Sequence, residues 1–183
     1  GKAVPQNQLG PYIQSALNQL HFLLDTTGRW ADLRKSYGRA APYKFQHVEI
    51  GNEDWLSPEE AARRLKEVGV GKVTGFSVNV AAHYTTGSEV LYAESVRAEL
   101  AKLDIRDAHF VVDVGRNGAG PQPDNCNPPG ARLGQPPRLY QGGALDGLLW
   151  IINPGETDGA CHGGPDNGFW APAALSLLGL AGN

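Results

Sequence analysis

Acidic, amide and aromatic residues gather at four places where a short apolar run gives way to a polar loop. They are Gly51-Asn52-Glu53-Asp54-Trp55, Asn79 with His83 and Tyr84, Asp113 followed by Arg116-Asn117, and Asn153-Pro154-Gly155-Glu156-Thr157-Asp158-Gly159. Two carboxyl groups facing each other across a groove suit hydrolysis of a glycosidic bond: one protonates the departing oxygen while the other activates water or attacks the sugar carbon. Trp55, Tyr84 and Tyr140 offer flat apolar faces to sugar rings. For any single carboxylate the plainer role is that of a solvated loop residue or a helix cap.

Other chemistries fit poorly. The five histidines, His21, His47, His83, His109 and His162, show no metal-ligand spacing among themselves or with the cysteines, so no metal site is expected. Gly115-Arg116-Asn117-Gly118-Ala119-Gly120 follows an apolar run, as a phosphate-cradling loop does. It then runs into Pro121, Pro123, Pro128 and Pro129, which forbid the helix such a loop must open, and it lacks the Gly-Lys-Ser/Thr ending. A formal charge of -3 with scattered Lys and Arg gives no basic stripe for nucleic acid. No apolar run reaches the ~20 residues that cross a bilayer, and the N-terminus lacks a signal-peptide pattern, so no membrane partner is expected. Cys126 and Cys161 both lie in Gly- and Pro-rich surroundings. Either they pair, closing a loop in an oxidising extracellular setting, or they are two unrelated thiols of a cytosolic chain.

The elements that must position these residues are legible in part. Ile13, Leu17, Leu20 and Leu24 recur at helical spacing and predict an amphipathic helix over Leu9 to Leu24. Phe45 to Ile50 alternates and ends at Gly51 as a short strand does. Ser57-Pro58-Glu59-Glu60 opens a helix with a cap, a proline at the first position and acids in the first turn; it should run to about Val68 and stop at Gly69. A strand is predicted at Val73 to Val80, a helix at about Ser88 to Lys102, and a strand at His109 to Val114. A long Gly/Pro-rich stretch, Gly115 to Gly143, precedes a strand at Leu148 to Ile152, and a helix over Ala171 to Leu180 closes the chain.

Helices alternating with short apolar strands imply parallel βα units, with functional groups collected where the strands end. At 183 residues and 41% hydrophobic composition, one globular domain is expected. About four parallel strands covered by helices make an α/β fold that is part of a TIM-like barrel, or a distorted one, since complete eight-stranded barrels usually need ~250 residues. An open sheet of this kind leaves edges that favour self-association. No internal repeat is evident.

From about Ser57 to the end, the chain resembles the C-terminal part of family 6 glycoside hydrolases, the endoglucanases and cellobiohydrolases acting on β-1,4-glucan. The residues that carry the resemblance are Gly75-Phe76-Ser77-Val78-Asn79-Val80, Val112-Asp113-Val114-Gly115-Arg116-Asn117-Gly118, Cys126-Asn127-Pro128-Pro129-Gly130 with Leu133-Gly134, and Leu149-Trp150-Ile151 with Pro154 to Gly159 and Cys161. The resemblance implies a distorted βα barrel, an inverting mechanism, no cofactor, and a disulfide between Cys126 and Cys161. It puts Asp158 at the position of an acid proposed as general base or support of the glycosyl cation, with Glu156 and Asp113 lining the cleft. Ile152, Asn125 and Ala81-Ala82-His83 stand where the family has a lysine, a tryptophan and Ser-Asn-Tyr.

The first ~55 residues instead resemble family 51 α-L-arabinofuranosidases, through Leu9-Gly10-Pro11-Tyr12-Ile13-Gln14, Trp30-Ala31-Asp32-Leu33-Arg34 and above all Val48 to Trp55. That resemblance makes Glu53 a general acid/base. The expected reading is a secreted glycoside hydrolase acting on polysaccharide or oligosaccharide β-1,4-glucan. Asp158 and Glu53 would be its catalytic pair, with Asp113, Glu156, Asn79, Trp55, Arg116 and Tyr84 against the sugar. The replaced positions keep open a vestigial or purely carbohydrate-binding domain, and the N-terminal segment keeps open an arabinofuranosidase.

Overall fold

The computed structural model describes residues 8–44, 47–48 and 56–180. Five strands form one sheet in the order β1 (His47–Val48), β2 (Gly75–Val78), β3 (His109–Asp113), β5 (Leu145–Leu149), β4 (Arg138–Leu139). The first four are mutually parallel, and β4 lies antiparallel on β5. The protein is therefore an α/β fold with a mostly parallel sheet. The barrel expectation is corrected at the finer level, because the sheet is open: adjacent strands turn by only ~20–25°, and the five strands among the described residues are too few to bring the edges round.

Glycine at position 75 permits the close approach of β2 to β3, since a side-chain carbon there would lie 1.8 Å from the His109 carbonyl oxygen. Phe76 pairs with Phe110 and Val78 with Val112, so these four side chains share one face of the sheet. Two helices cover that face. In α3 (Pro58–Glu67) the Ser57 hydroxyl accepts a bond from the Glu60 amide at 3.3 Å and Pro58 opens the first turn. Ala61, Ala62 and Leu65 form its buried stripe. In α4 (Thr86–Lys102) the cap is Thr85, which accepts from the Ser88 amide at 3.2 Å, so the helix begins ahead of Ser88. Its buried stripe, Glu89, Ala93, Val96 and Leu100, joins Phe76, Phe110, Val112 and Leu148 except for the glutamate.

The structure departs from the sequence reading in several further elements. β5 starts at Leu145, ahead of the expected Leu148, because Val111 and Val112 of β3 pair with Gly147 and Leu148. Ile152, expected inside the strand, turns its amide to the Asp113 carboxylate at 3.2 Å. Helix α2 (Arg29–Ser36) has no apolar periodicity to announce it, since its buried residues are Ala31 and Arg34. Arg34 is wholly buried and donates to the carbonyls of Phe22 at 2.6 Å, Asp25 at 2.7 Å and Ala40 at 3.2 Å, tying α2 to the end of α1 (Gly10–Leu24). The closing helix, α5 (Ala171–Leu177), is shorter than expected. No helix among the described residues is long and apolar enough to cross a membrane.

Leu100 and Leu91 lie on the same helix at 0% and 72% exposure. Leu100→Ala should destabilise the protein by about 3 kcal/mol in urea unfolding, through lost transfer free energy and a residual cavity. Leu91→Ala should stay within about 0.5 kcal/mol.

Candidate active site

The carboxyl ends of the parallel strands are drawn together by one side chain. Asp113, the last residue of β3, is 4% exposed. Its Oδ1 accepts from the Gly115 amide at 2.9 Å, and its Oδ2 accepts from the amides of Ala81 at 3.4 Å and Ile152 at 3.2 Å. The loops after β2, β3 and β5 thus meet at one carboxylate. Burial pushes its pKa up against these amides, which pull it down by stabilising the charged form. Asn79, 8% exposed, braces the same junction: its amide donates to the Asp113 carbonyl at 2.9 Å and the Tyr84 carbonyl at 3.1 Å, and its oxygen accepts from the Tyr84 amide at 3.1 Å. Asn79 and Ala81 take left-handed backbone (φ 63° and 62°), which for alanine costs about 1–2 kcal/mol. Such conformations persist where surrounding contacts over-determine them.

From this junction the β3 loop sends Arg116 to Asp158. The guanidinium is 6% exposed and the carboxylate side chain 20%. Arg116 Nη1 donates to both Asp158 oxygens at 2.8 Å, and Nη2 donates to the Ala81 carbonyl at 3.1 Å. Asp158 Oδ2 also accepts from the Asn127 amide at 2.8 Å, while the Asn127 side-chain oxygen accepts from the Asp158 amide at 2.8 Å. Asn127 Nδ2 donates to the carbonyls of Gly159 at 2.8 Å and Cys161 at 3.1 Å. Cys126 and Cys161 are disulfide-bonded, their Cα atoms 6.1 Å apart, so the cystine clamps the two loops that Asn127 stitches together. Asp158 is consequently oriented by an arginine, a backbone amide and a covalent staple.

The remaining expected residues fall in different settings. Glu156 is exposed, and its carboxylate accepts from Asn153 Nδ2 at 3.0 Å. Tyr84 is half-buried, and burial, followed by the nearby Glu89, raises its phenol pKa. Asn79 and Asp113 use their polar atoms inside the loop junction rather than presenting them outward. Tyr140 stands beyond the edge strand with the Arg138 guanidinium 5.4 Å from its ring centre. Glu53 and Trp55, the expected acid and one expected sugar-stacking ring, lie outside the described residues. Asn127 carries no sequence signal for a role of its own beyond its place in the Cys126-Asn127-Pro128-Pro129-Gly130 motif.

His83 lies in the loop after β2, in the Ala81-Ala82-His83 segment that departs from the family's Ser-Asn-Tyr. It is 2% exposed and neither ring nitrogen has a hydrogen-bond partner among the described residues. Burial, and then the Arg116 charge, lower its pKa, while Asp158 opposes them. It lines a cavity of about 140 Å³ together with Arg116, Asn127, Glu156 and Trp170.

A parallel α/β protein with its polar constellation at the carboxyl ends of the strands is thereby defined. The family model for glycosyl hydrolases family 6 matches residues 46–175. Endoglucanase 1 of Streptomyces halstedii is 42% identical over 125 residues, which are 68% of this chain and 38% of that protein. The solved endoglucanase Cel6 of Mycobacterium tuberculosis, in complex with a methyl-cellobiosyl-4-deoxy-4-thio-β-D-cellobioside, matches with a TM-score of 0.70 and 35% identity. That match covers 98% of this chain and 57% of the other. A probable α-L-arabinofuranosidase A of Aspergillus flavus is 51% identical over 49 residues, 26% of this chain and 8% of that protein. The chain belongs to glycosyl hydrolase family 6. It spans well under two thirds of the length of each of these relatives.

Two outcomes follow from the site's energetics. Reducing the cystine, which spans 35 residues, should cost about 4 kcal/mol on the chain-entropy estimate, read as a lower urea midpoint with dithiothreitol present. Burial raises Glu89 from 4.5 to about 7, so its stabilising, protonated form is kept below pH 4.5 and lost as the pH rises through 7. Glu89→Gln should therefore match the wild type at pH 4 and exceed it by about 3 kcal/mol at pH 8 in the same unfolding measurement.

Proposed function

We propose that the protein is a glycoside hydrolase that cleaves β-1,4-glucosidic bonds of cellulose or related β-glucan. The observation that carries this reading is Asp158, held at the carboxyl end of the sheet by Arg116 and by the Asn127 amide, within a chain of the cellulase family. A carboxylate so fixed acts as general base toward water, or supports positive charge developing on the sugar. Glu53 is the proton donor to the departing oxygen. Inversion requires these two carboxyl groups to stand ~6.5–9.5 Å apart, leaving room for one water. Glu156, Arg116 and Tyr84, with Trp55, line the glucan path, and Asp113 and Asn79 serve that path by fixing its loops. The family relation and the cellobioside complex of the Mycobacterium enzyme support the substrate class, and the cystine supports an extracellular site of action.

We further read the segment before about residue 56 as arabinofuranosidase-like, which the short Aspergillus match supports and which is the source of Glu53 as an acid. A second reading, binding without turnover, is favoured by one observation: the family's lysine position is filled by Ile152, whose amide is spent on Asp113.

Hydrolysis of carboxymethyl cellulose and of aryl cellobiosides decides between them. Asp158→Asn and Glu53→Gln should each lower kcat by about 10²-fold or more, with little change in the concentration of cello-oligosaccharide that half-saturates binding. Activity equal to wild type in both variants would remove these roles. Saturable binding without any turnover in the wild type would establish the second reading, and turnover confined to aryl arabinofuranosides would point to the N-terminal ancestry instead.

A further inference from the structure

We infer that the loop after β2, residues 79–85, is an acid-released clasp: protonation of His83 opens it and detaches the Ala81 carbonyl from Arg116. His83 is 2% exposed while Ala81, Ala82 and Tyr84 beside it are half-buried, so one imidazole anchors an otherwise outlying segment. Neither ring nitrogen has a hydrogen-bond partner among the described residues, and neither is open to solvent. The ring is thus held as an apolar plug. A neutral imidazole survives this at the cost of its lost hydration, but an imidazolium taken out of water without a partner is far more expensive. The segment is also under tension. Asn79 and Ala81 carry left-handed backbone, and Ala81 is the residue that joins the loop to the rest of the site. Its amide meets Asp113 at 3.4 Å and its carbonyl accepts from Arg116 Nη2 at 3.1 Å.

The charges around the ring do not rescue the protonated form. Arg116, on the loop after β3, is 6% exposed and repels a second positive charge. Asp158, on the loop after β5, pulls the other way, but its carboxylate is already matched by Arg116 and the Asn127 amide. Glu156 and His162 border the same cavity, the first bonded to Asn153 and the second paired with Asp124. On the loop itself the Tyr84 phenol, raised by burial and then by Glu89, stays neutral. Burial, followed by Arg116, therefore holds the enclosed ring below its ordinary 6.5. Because the closed loop favours the neutral ring, its advantage is complete above about pH 6.5 and is lost as the pH falls below that value. Opening frees the end of Arg116 that the Ala81 carbonyl fixes, and so loosens the guanidinium that orients Asp158. The consequence for turnover rests on the proposed role of Asp158; the opening itself does not.

Amide hydrogen exchange on the disulfide-bonded full chain reads the opening without any activity measurement. The Ala82 and Tyr84 amides, both bonded to Asn79, report the loop, and the Phe110 amide, bonded to the Ala144 carbonyl in the sheet, reports global unfolding. After correction for the intrinsic pH dependence of exchange, the opening constant at Ala82 and Tyr84 should rise roughly tenfold from about pH 7.5 to about pH 5, with both amides exchanging ahead of Phe110. His83→Phe should lose most of that rise. In the wild type the His83 ring, followed by nitrogen-15 NMR, should titrate below 6.5, a result that stands without the variant if it misfolds. The proposal is overturned by a ring that titrates at or above 6.5, by no rise in the wild type, by an equal rise in His83→Phe, or by loop amides that exchange only in step with Phe110. An inactive protein that shows the expected exchange would overturn the role of Asp158 and leave the clasp standing.

Discussion

Parallel strands that end side by side leave backbone amides pointing into a crowded loop layer where no ladder partner follows. Asp113 resolves that problem with one carboxylate, accepting from the amides of Gly115, Ala81 and Ile152, which start the loops after three different strands. His83, Tyr84, Arg116, Asn127, Glu156 and Asp158 are all carried on those loops. The cost is visible in the opposite pulls on this carboxyl group: burial favours the neutral form, while the amides hold the charge. Replacing it by an apolar side chain would strand several buried amides, each expensive to leave unpaired.

On this junction a second layer is built, with a different purpose. Arg116 is buried and donates to both Asp158 oxygens, while the Ala81 carbonyl fixes its other end. Breaking such a pair from one side would leave an uncompensated charge in a protected place, so its worth is mainly in geometry rather than in net stability. The Cys126–Cys161 bond and the Asn127 side chain hold the two loops so that this geometry survives exposure of the loops themselves. Preorganisation of this kind is what a carboxylate must have if it is to act on charge that develops only in a transition state.

The same chain carries its ionisable groups in settings that differ sharply in how they are answered. Arg34 is buried, and its two terminal nitrogens donate to three carbonyls, so that it serves as a structural pin between α1 and α2. Glu89 ends an apolar stripe and is driven toward neutrality by burial alone. His83 is buried beside a cavity, and neither ring nitrogen has a partner among the described residues. The open sheet frames these features, closing its far side with the short antiparallel strand β4, whose two residues are exposed. A short, twisted, charged edge of that sort discourages further pairing.

Much of the local structure could be read directly from residue order. The cap at Ser57 and the short apolar runs of β2 and β3 are local signals, because they are written in neighbouring residues. So was the concentration of polar groups at strand ends, since parallel βα units admit little else. Helix α2 and strand β4 were hidden, the first because a buried arginine takes the place of an apolar stripe, the second because two exposed residues carry no pattern. Openness of the sheet is legible in sequence only as one alternative, from the small number of strands, since closure depends on accumulated twist and strand number, which are global quantities. Among the site residues, the family resemblance gives Asp158 the catalytic role and Asp113 a place against the sugar, whereas residue type and spacing alone do not separate the two. Folding sets them in different surroundings, turning Asp113 inward onto backbone amides and Asp158 onto a buried guanidinium, because burial and hydrogen-bond partners come from residues 31 to 42 positions away.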